Sequence, residues 1–205
     1  MFVPLILLAW GVSSRMKRPL TVPLNISENL LQEADTLPKC MLSVWPNWER
    51  FLEFILRNAQ EAGFLDVILV LWEKDEITAK YVNEVLPNRW IAVTVHIARQ
   101  YIPQEREKPW GTWDALYQAL DQFQNLTQGR FVLANSDNLL PVSVYKSGLN
   151  AVENTLICFS TESFGIPNEK RTAYGLVAID PETRKVGMIV EKPDLETLSK
   201  LDEKY

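Results

Sequence analysis

Apolar and polar positions along this chain fall into short blocks, and the period changes from block to block. VPLILLAW (3–10) is apolar without interruption up to Gly11, as expected for a strand buried on both faces. Residues 20–38 have no period and are punctuated by Pro23 and Pro38, which predicts a long irregular loop. From Trp48 to Ala62, the positions Phe51, Leu52, Ile55, Leu56, Ala59 and Ala62 share one helical face, with Asn47 as a natural cap and Gly63 as the stop. FLDVILVL (64–71) is a second buried strand, EKDEITAKYVNEVL (73–86) a helix, and IAVTVHIA (91–98) an alternating strand. TWDALYQALDQF (112–123) reads as a helix capped by Thr112, with Leu116, Leu120 and Phe123 turned inward. RFVLANSDN (130–138) is a strand with a polar end, and TLICFS (155–160) another strand. AYGLVAIDPETRKVGMIVEKP (173–193) is hairpin grammar, two strands around DPETRK.

Strands and helices that take turns in this way predict an α/β fold. The expected form is Rossmann-like: a mostly parallel sheet with helices on both faces, right-handed crossovers and a C-terminal β-hairpin. The sequence has no internal repeat, low-complexity stretch or linker, so a single domain over 1–205 is expected. Ligands in such sheets bind at the carboxyl ends of strands. GVSSRMK, KPWGTWD and NSDN all fall at such ends or beside them.

Composition narrows the chemistry. The 205 residues carry a formal net charge of -5, which does not favour nucleic acid or an anionic membrane as partner. No apolar run approaches the ~20 residues of a membrane span. The cations follow the first apolar run, whereas a signal peptide would carry them before it, so a strand is expected there. His96 is the only histidine and sits in an alternating apolar run, which argues against His-based triads and metal sites. Cys40 and Cys158 have no metal spacing and are expected to be reduced thiols of a cytoplasmic protein.

Each polar cluster has two readings on its own. In GVSSRMK, Gly11, Ser13 and Ser14 can turn backbone N–H groups toward an anion beside the Arg15 fork; equally, the stretch can be a turn with a solvated basic tail. Lys39, after Pro38, can be a phosphate ligand or a solvated lysine. Asp137 in NSDN can hold magnesium with phosphates or end its strand in an Asx turn. Glu191 and Lys192 in VEKP can serve a ligand or simply end a strand before Pro193.

Taken in order, these elements resemble the sugar-1-phosphate nucleotidyltransferases, or nucleotide-sugar pyrophosphorylases. LAWGVSSRM (8–16) matches the family's opening L-A-A-G-x-G-[ST]-R-[ML], and PKCM (38–41) its P-K-x-[ML]. EAGFLDVILVL, GTWDAL (111–116), SDN (136–138) and YGLVAID…IVEKP match the remaining motifs in order, over about residues 4 to 193. The resemblance implies the nucleotide-diphospho-sugar transferase type of fold. It also implies Mg2+-dependent transfer of a nucleotidyl group from a nucleoside triphosphate to a sugar 1-phosphate, as in nucleotide-sugar biosynthesis. Leu8, Ala9, Gly11, Ser13, Ser14, Gly111 and Thr112 would bind the nucleotide, and Arg15 and Lys39 would act on the phosphates. Asp137 would hold the metal, and Gly175, Glu191 and Lys192 the sugar phosphate.

The chain departs from the pattern in four places. Ser13 replaces the second glycine of the first motif, and Trp10 and Trp113 replace alanines that border the nucleotide in the family. By volume, the two indoles are expected to obstruct the nucleotide site; packing in the core and stacking on the base are the alternatives. The chain also ends soon after VEKP, so the resemblance implies a catalytic domain truncated at its C-terminal end. Two other functions fit the same elements: a non-catalytic or impaired nucleotide- or sugar-phosphate-binding relative, and a nucleotide-sugar-dependent glycosyltransferase. The latter commonly uses a D-x-D metal pair, of which SDN supplies one carboxylate.

Overall fold

The computed structural model describes residues 3–9, 26–44, 48–106, 109–163 and 165–204. The chain divides into two compact units, Met1–Glu153 and Asn154–Tyr205.

The first unit is built on a four-stranded parallel sheet. Its central strand β1 (Leu5–Leu8) is buried along its whole length. Helix α1 (Glu28–Thr36) follows, capped by Ser27, where the sequence predicts only loop; no residue of α1 is buried, so it lacks the apolar stripe that identifies a helix. A 3-10 turn, Lys39–Met41, leads to β2 (Ser43–Val44), which pairs antiparallel with β3 (Glu49–Arg50). Helix α2 (Phe51–Ala62) therefore starts three residues later than predicted, because Trp48 takes a left-handed φ of 56° and the next two residues are in β3. The Glu53 carboxylate accepts from the Arg50 N–H at 3.0 Å and closes the helix start, while the expected cap, Asn47, lies outside the described residues. Gly63, at φ 106°, ends α2 as expected.

Strand β4 (Asp66–Trp72) is followed by α3 (Glu76–Lys80), which continues as a π-helical turn, Tyr81–Val85, and a 3-10 turn, Leu86–Asn88. The single helix predicted over 73–86 is thus broken into three kinds of turn. Strand β5 (Thr94–Gln100), helices α4 (Thr112–Gln122) and α5 (Gln124–Thr127), strand β6 (Val132–Asn135) and helix α6 (Val142–Asn150) complete the unit. The sheet order is β5-β4-β1-β6, all parallel.

Side-chain alternation along the strands divides the core in two. Leu5, Leu7, Val67, Leu69 and Leu71 face α2 and Tyr145 of α6. Ile6, Leu8, Ile68 and Val70 face Ala115, Leu116 and Ala119 of α4. At the β5 edge, two α4 side chains take the place of a further strand. The Gln118 amide donates to the Tyr101 carbonyl at 3.1 Å and accepts from its N–H at 2.8 Å, and Gln122 treats Arg99 the same way at 2.7 and 2.9 Å.

The second unit holds a 3-10 turn, Asn168–Ala173, and the predicted hairpin, β7 (Gly175–Ile179) against β8 (Val186–Glu191). Helix α7 (Leu195–Lys204) returns to the turn through a two-pronged Arg171–Asp202 pair at 3.0 and 2.8 Å. The strand expected at 155–160 does not form: Leu156 and Phe159 are exposed, so the segment buries no face.

Candidate active site

The strand order reverses direction between β1 and β6, and a cavity of about 200 Å³ lies at the carboxyl ends of these two strands. It is lined by Leu8, Ala9, Lys39, Cys40, Thr112, Asn135, Ser136 and Asp137. Two hydrogen bonds set its floor: Ser136 N–H donates to the Leu8 carbonyl at 3.0 Å and Ala9 N–H to the Val70 carbonyl at 2.9 Å. The sheet register thereby fixes where Asp137 leaves β6.

Lys39 stands at the start of the 3-10 turn Lys39–Met41. Its Nζ donates to Asp137 Oδ2 at 3.0 Å across 98 residues of sequence, with both side chains about 40% exposed (39% and 43%). The next residue, Cys40, is buried, and burial foremost, then the charge of Asp75, pushes its thiol up to about 12 against the pull of Ser136 and Thr78 hydrogen bonds. Cys40 therefore meets the cavity as a neutral thiol at neutral pH.

Thr112 stands at the start of α4. The sequence predicts it as the N-cap, but the cap is Gly111, whose φ of 104° suits glycine and which offers no side chain to the first-turn N–H groups. Among the described residues no side chain caps α4, so its amino end brings backbone N–H groups and a partial positive charge to the cavity wall. In the same turn, Asp114 accepts from the buried Gln100 amide at 2.6 Å and from Gln118 at 3.0 Å, which anchors the helix start to β5.

Five predicted residues, Leu8, Ala9, Lys39, Thr112 and Asp137, are therefore brought to one cavity, with Gly111 adjoining it. Three further residues, Cys40, Asn135 and Ser136, line the cavity without being among the residues that the sequence points to, although each lies in PKCM or NSDN beside one that is. Trp10, Gly11, Ser13, Ser14 and Arg15 lie outside the described residues. Trp113 is 79% exposed, so it does not pack in the core, and it is not among the described residues that line the cavity.

In the second unit, Gly175 pairs with Glu191 across the hairpin, and Lys192 N–H donates to the Tyr174 carbonyl at 3.0 Å. A Cβ on Gly175 would meet Glu191 Oε2 at 2.8 Å, so the glycine leaves room for that carboxylate. Lys192 holds a left-handed φ of 48°, a strained setting for a lysine, with its Nζ 3.8 Å from Glu191 Oε1.

The described residues contain no group of three or more His, Cys, Asp or Glu that could cage a metal. Asp137 alone fits a hard cation of the magnesium type, which takes one or two carboxylates and completes its shell with water and phosphate oxygens. His96, the lone histidine, is away from the cavity; its Nε2 lies 2.6 Å from Asp66 Oδ1. Both cysteines are free, Cys158 being exposed. No described helix is long and apolar enough to cross a membrane.

The fold resembles that of solved pyrophosphorylases. A UDP-glucose pyrophosphorylase from Acinetobacter baumannii aligns at TM-score 0.59 and 20% identity, over 96% of this chain and 70% of that one. A UDP-glucose pyrophosphorylase complexed with UDP-glucose aligns at TM-score 0.62 and 17% identity, over 96% and 71%. A UTP-bound enzyme of the same kind from Acinetobacter baumannii aligns at TM-score 0.60 and 19% identity, over 95% and 69%. No curated protein sequence matches the chain significantly. The family model described as nucleotidyl transferase matches residues 34–203, most of the sequence and both units, and the protein belongs to the nucleotidyl transferase family.

Proposed function

We propose that this protein transfers a nucleotidyl group from a nucleoside triphosphate to a sugar 1-phosphate, releasing pyrophosphate, with magnesium as its metal. The observation that carries this reading is the Lys39–Asp137 pair in a cavity where the strand order reverses. A phosphate oxygen of the sugar 1-phosphate attacks the α-phosphorus, and the bond from the α-phosphorus to the bridging oxygen of the β-phosphate breaks. Such a step asks the protein chiefly to hold two polyanions in line and to neutralise them.

Lys39 supplies positive charge at the transferring phosphate, and the amino end of α4 supplies backbone N–H groups. Gly111 and Thr112 border the nucleoside beside Leu8 and Ala9. Gly11, Ser13, Ser14 and Arg15 are assigned to the triphosphate on their motif. Gly175, Glu191 and Lys192 are assigned to the sugar phosphate on their motif. Asp137 would hold magnesium, which when bound would supply charge neutralisation and orientation. A cytoplasmic setting, where triphosphates and reduced thiols coexist, suits this chemistry.

The reading is tested by pyrophosphate release from a panel of four nucleoside triphosphates crossed with several sugar 1-phosphates, starting with UTP and glucose 1-phosphate. Release that requires one sugar phosphate together with a divalent metal supports it. Release of phosphate alone, or none with any pair, contradicts it.

A further inference from the structure

We propose that Arg50 is a positioning residue for Lys39: clamped to Glu33, it fixes the far end of the 3-10 turn that carries Lys39 and so sets the lysine against Asp137. This rests on the nucleotidyl transfer reading and adds to it a residue to which the resemblance gives no role.

The pair in the cavity does not hold itself in place. Lys39 reaches Asp137 through a flexible four-carbon stem, and the attraction between two such exposed side chains is too weak to fix a backbone. The helix before it gives little support, since α1 buries no residue and ends only two residues before Lys39. The turn is held from behind instead. Cys40 and Met41 are buried, which sets its depth. Burial does not set its direction, because apolar contact is non-directional.

Direction comes from Arg50. Its Nη1 donates to the Met41 carbonyl at 2.8 Å, to Ser43 Oγ at 2.8 Å and to Glu33 Oε1 at 2.7 Å. Glu33 also accepts from the Ser43 N–H at 2.8 Å and from the Ser43 hydroxyl at 2.7 Å. Among the described residues, Glu33 is the α1 side chain that hydrogen-bonds to another element, so one clamp ties α1, the turn and β2 together. Arg50 is itself firmly seated. Its N–H donates to Glu53, which is fully buried on α2 and accepts from the Tyr81 hydroxyl at 2.6 Å. The next N–H, that of Phe51, donates to the Leu42 carbonyl at 2.9 Å. A line of contacts thus runs from α2 through Arg50 and the Met41 carbonyl to Lys39. Such support matters to a reaction that depends on orientation, because a misplacement of about 1 Å can cost on the order of a hundredfold in rate.

The test is a double-mutant cycle on the whole chain, read by calorimetry with ATP, CTP, GTP and UTP. Arg50→Met should weaken triphosphate binding about fivefold or more in the parent chain, but less than about twofold where Lys39 is already replaced in Lys39→Ala, because the two residues act as one unit. Thermal melts should show the same loss of Tm in both backgrounds. Glu33→Gln should repeat the pattern in milder form, and it carries the test if Arg50→Met does not fold. Arg50→Lys should recover part of the binding, since the three contacts converge on one nitrogen and an ammonium has three donors. Arg57→Met, which removes pairs to Glu49 and Glu53 rather than to the turn, should bind triphosphate within about twofold of the parent chain. Equal binding losses with and without Lys39, no loss at all, or the same loss in Arg57→Met would overturn the positioning role and leave the functional reading intact. Failure of the parent chain to bind any of the four triphosphates would instead overturn the functional reading, and this role with it.

Discussion

Lys39 and Asp137, 98 residues apart in sequence, meet at 3.0 Å in the cavity between the ends of β1 and β6. Because both are about 40% exposed (39% and 43%), their attraction contributes only about 0–1 kcal/mol to folding. Lys39→Ala should therefore leave the Tm nearly unchanged while weakening triphosphate binding. Thermal melts and calorimetry on the same samples check this. A large fall in Tm with normal binding would make Lys39 structural.

The pair also bears on the metal. Among the described residues, Lys39 Nζ is the cation paired with the Asp137 carboxylate. Removing that competing charge should raise the affinity of Asp137 for a divalent ion in the absence of nucleotide. Lys39→Met should bind Mn2+ more tightly than the parent chain, and Asp137→Asn should bind it less, as read by electron paramagnetic resonance titration. Identical titrations for all three would show that Asp137 holds no metal.

The β5 edge carries a third prediction. Gln118 and Gln122 each make two hydrogen bonds to β5-edge backbone. Gln118→Leu or Gln122→Leu should lower stability by about 1 kcal/mol or more, since each hydrogen bond contributes about 0.5–1.5 kcal/mol net. Freed edge groups should also promote self-association. Urea unfolding and light scattering measure the two effects.

Much of this architecture is legible in the sequence. The uninterrupted apolar runs of β1 and β4 and the one-sided pattern of α2 mark their elements plainly, because burial on two faces or one face dictates composition. Helix α1 is not legible, because it packs no buried residue against anything. Residues 155–160 mislead for the opposite reason: β-branched and aromatic content suggests a strand, but Leu156 and Phe159 stay exposed. The site is legible as separate motifs. The Lys39–Asp137 contact itself is not, since it arises from a crossover that places a turn after α1 beside the end of β6.

Alkaline pH gives a fourth test. Burial pushes Cys40, Tyr81 and Tyr145 up to about 12 from ordinary values of 9.0 and 10.0. A folded pKa above the unfolded one means that the unfolded chain loses these protons first. Stability should be undiminished by these groups below pH 9 and should fall as pH rises from about 9 toward 12. Cys40→Ser should flatten the early part of this decline, and denaturant unfolding at stepped pH would show it.

The most direct test of the central claim follows the α-phosphate label of a nucleoside triphosphate in the presence of a sugar 1-phosphate and magnesium, in the parent chain and in Asp137→Asn. Nucleotidyl transfer in the Lys39–Asp137 cavity predicts that the label moves to a nucleoside diphosphate sugar with one pyrophosphate per turnover. Asp137→Asn should lower that rate about a hundredfold or more, the scale of losing a key electrostatic group. Label transfer at the same rate in Asp137→Asn, or label recovered only as nucleoside mono- or diphosphate whether or not sugar phosphate is present, would contradict it.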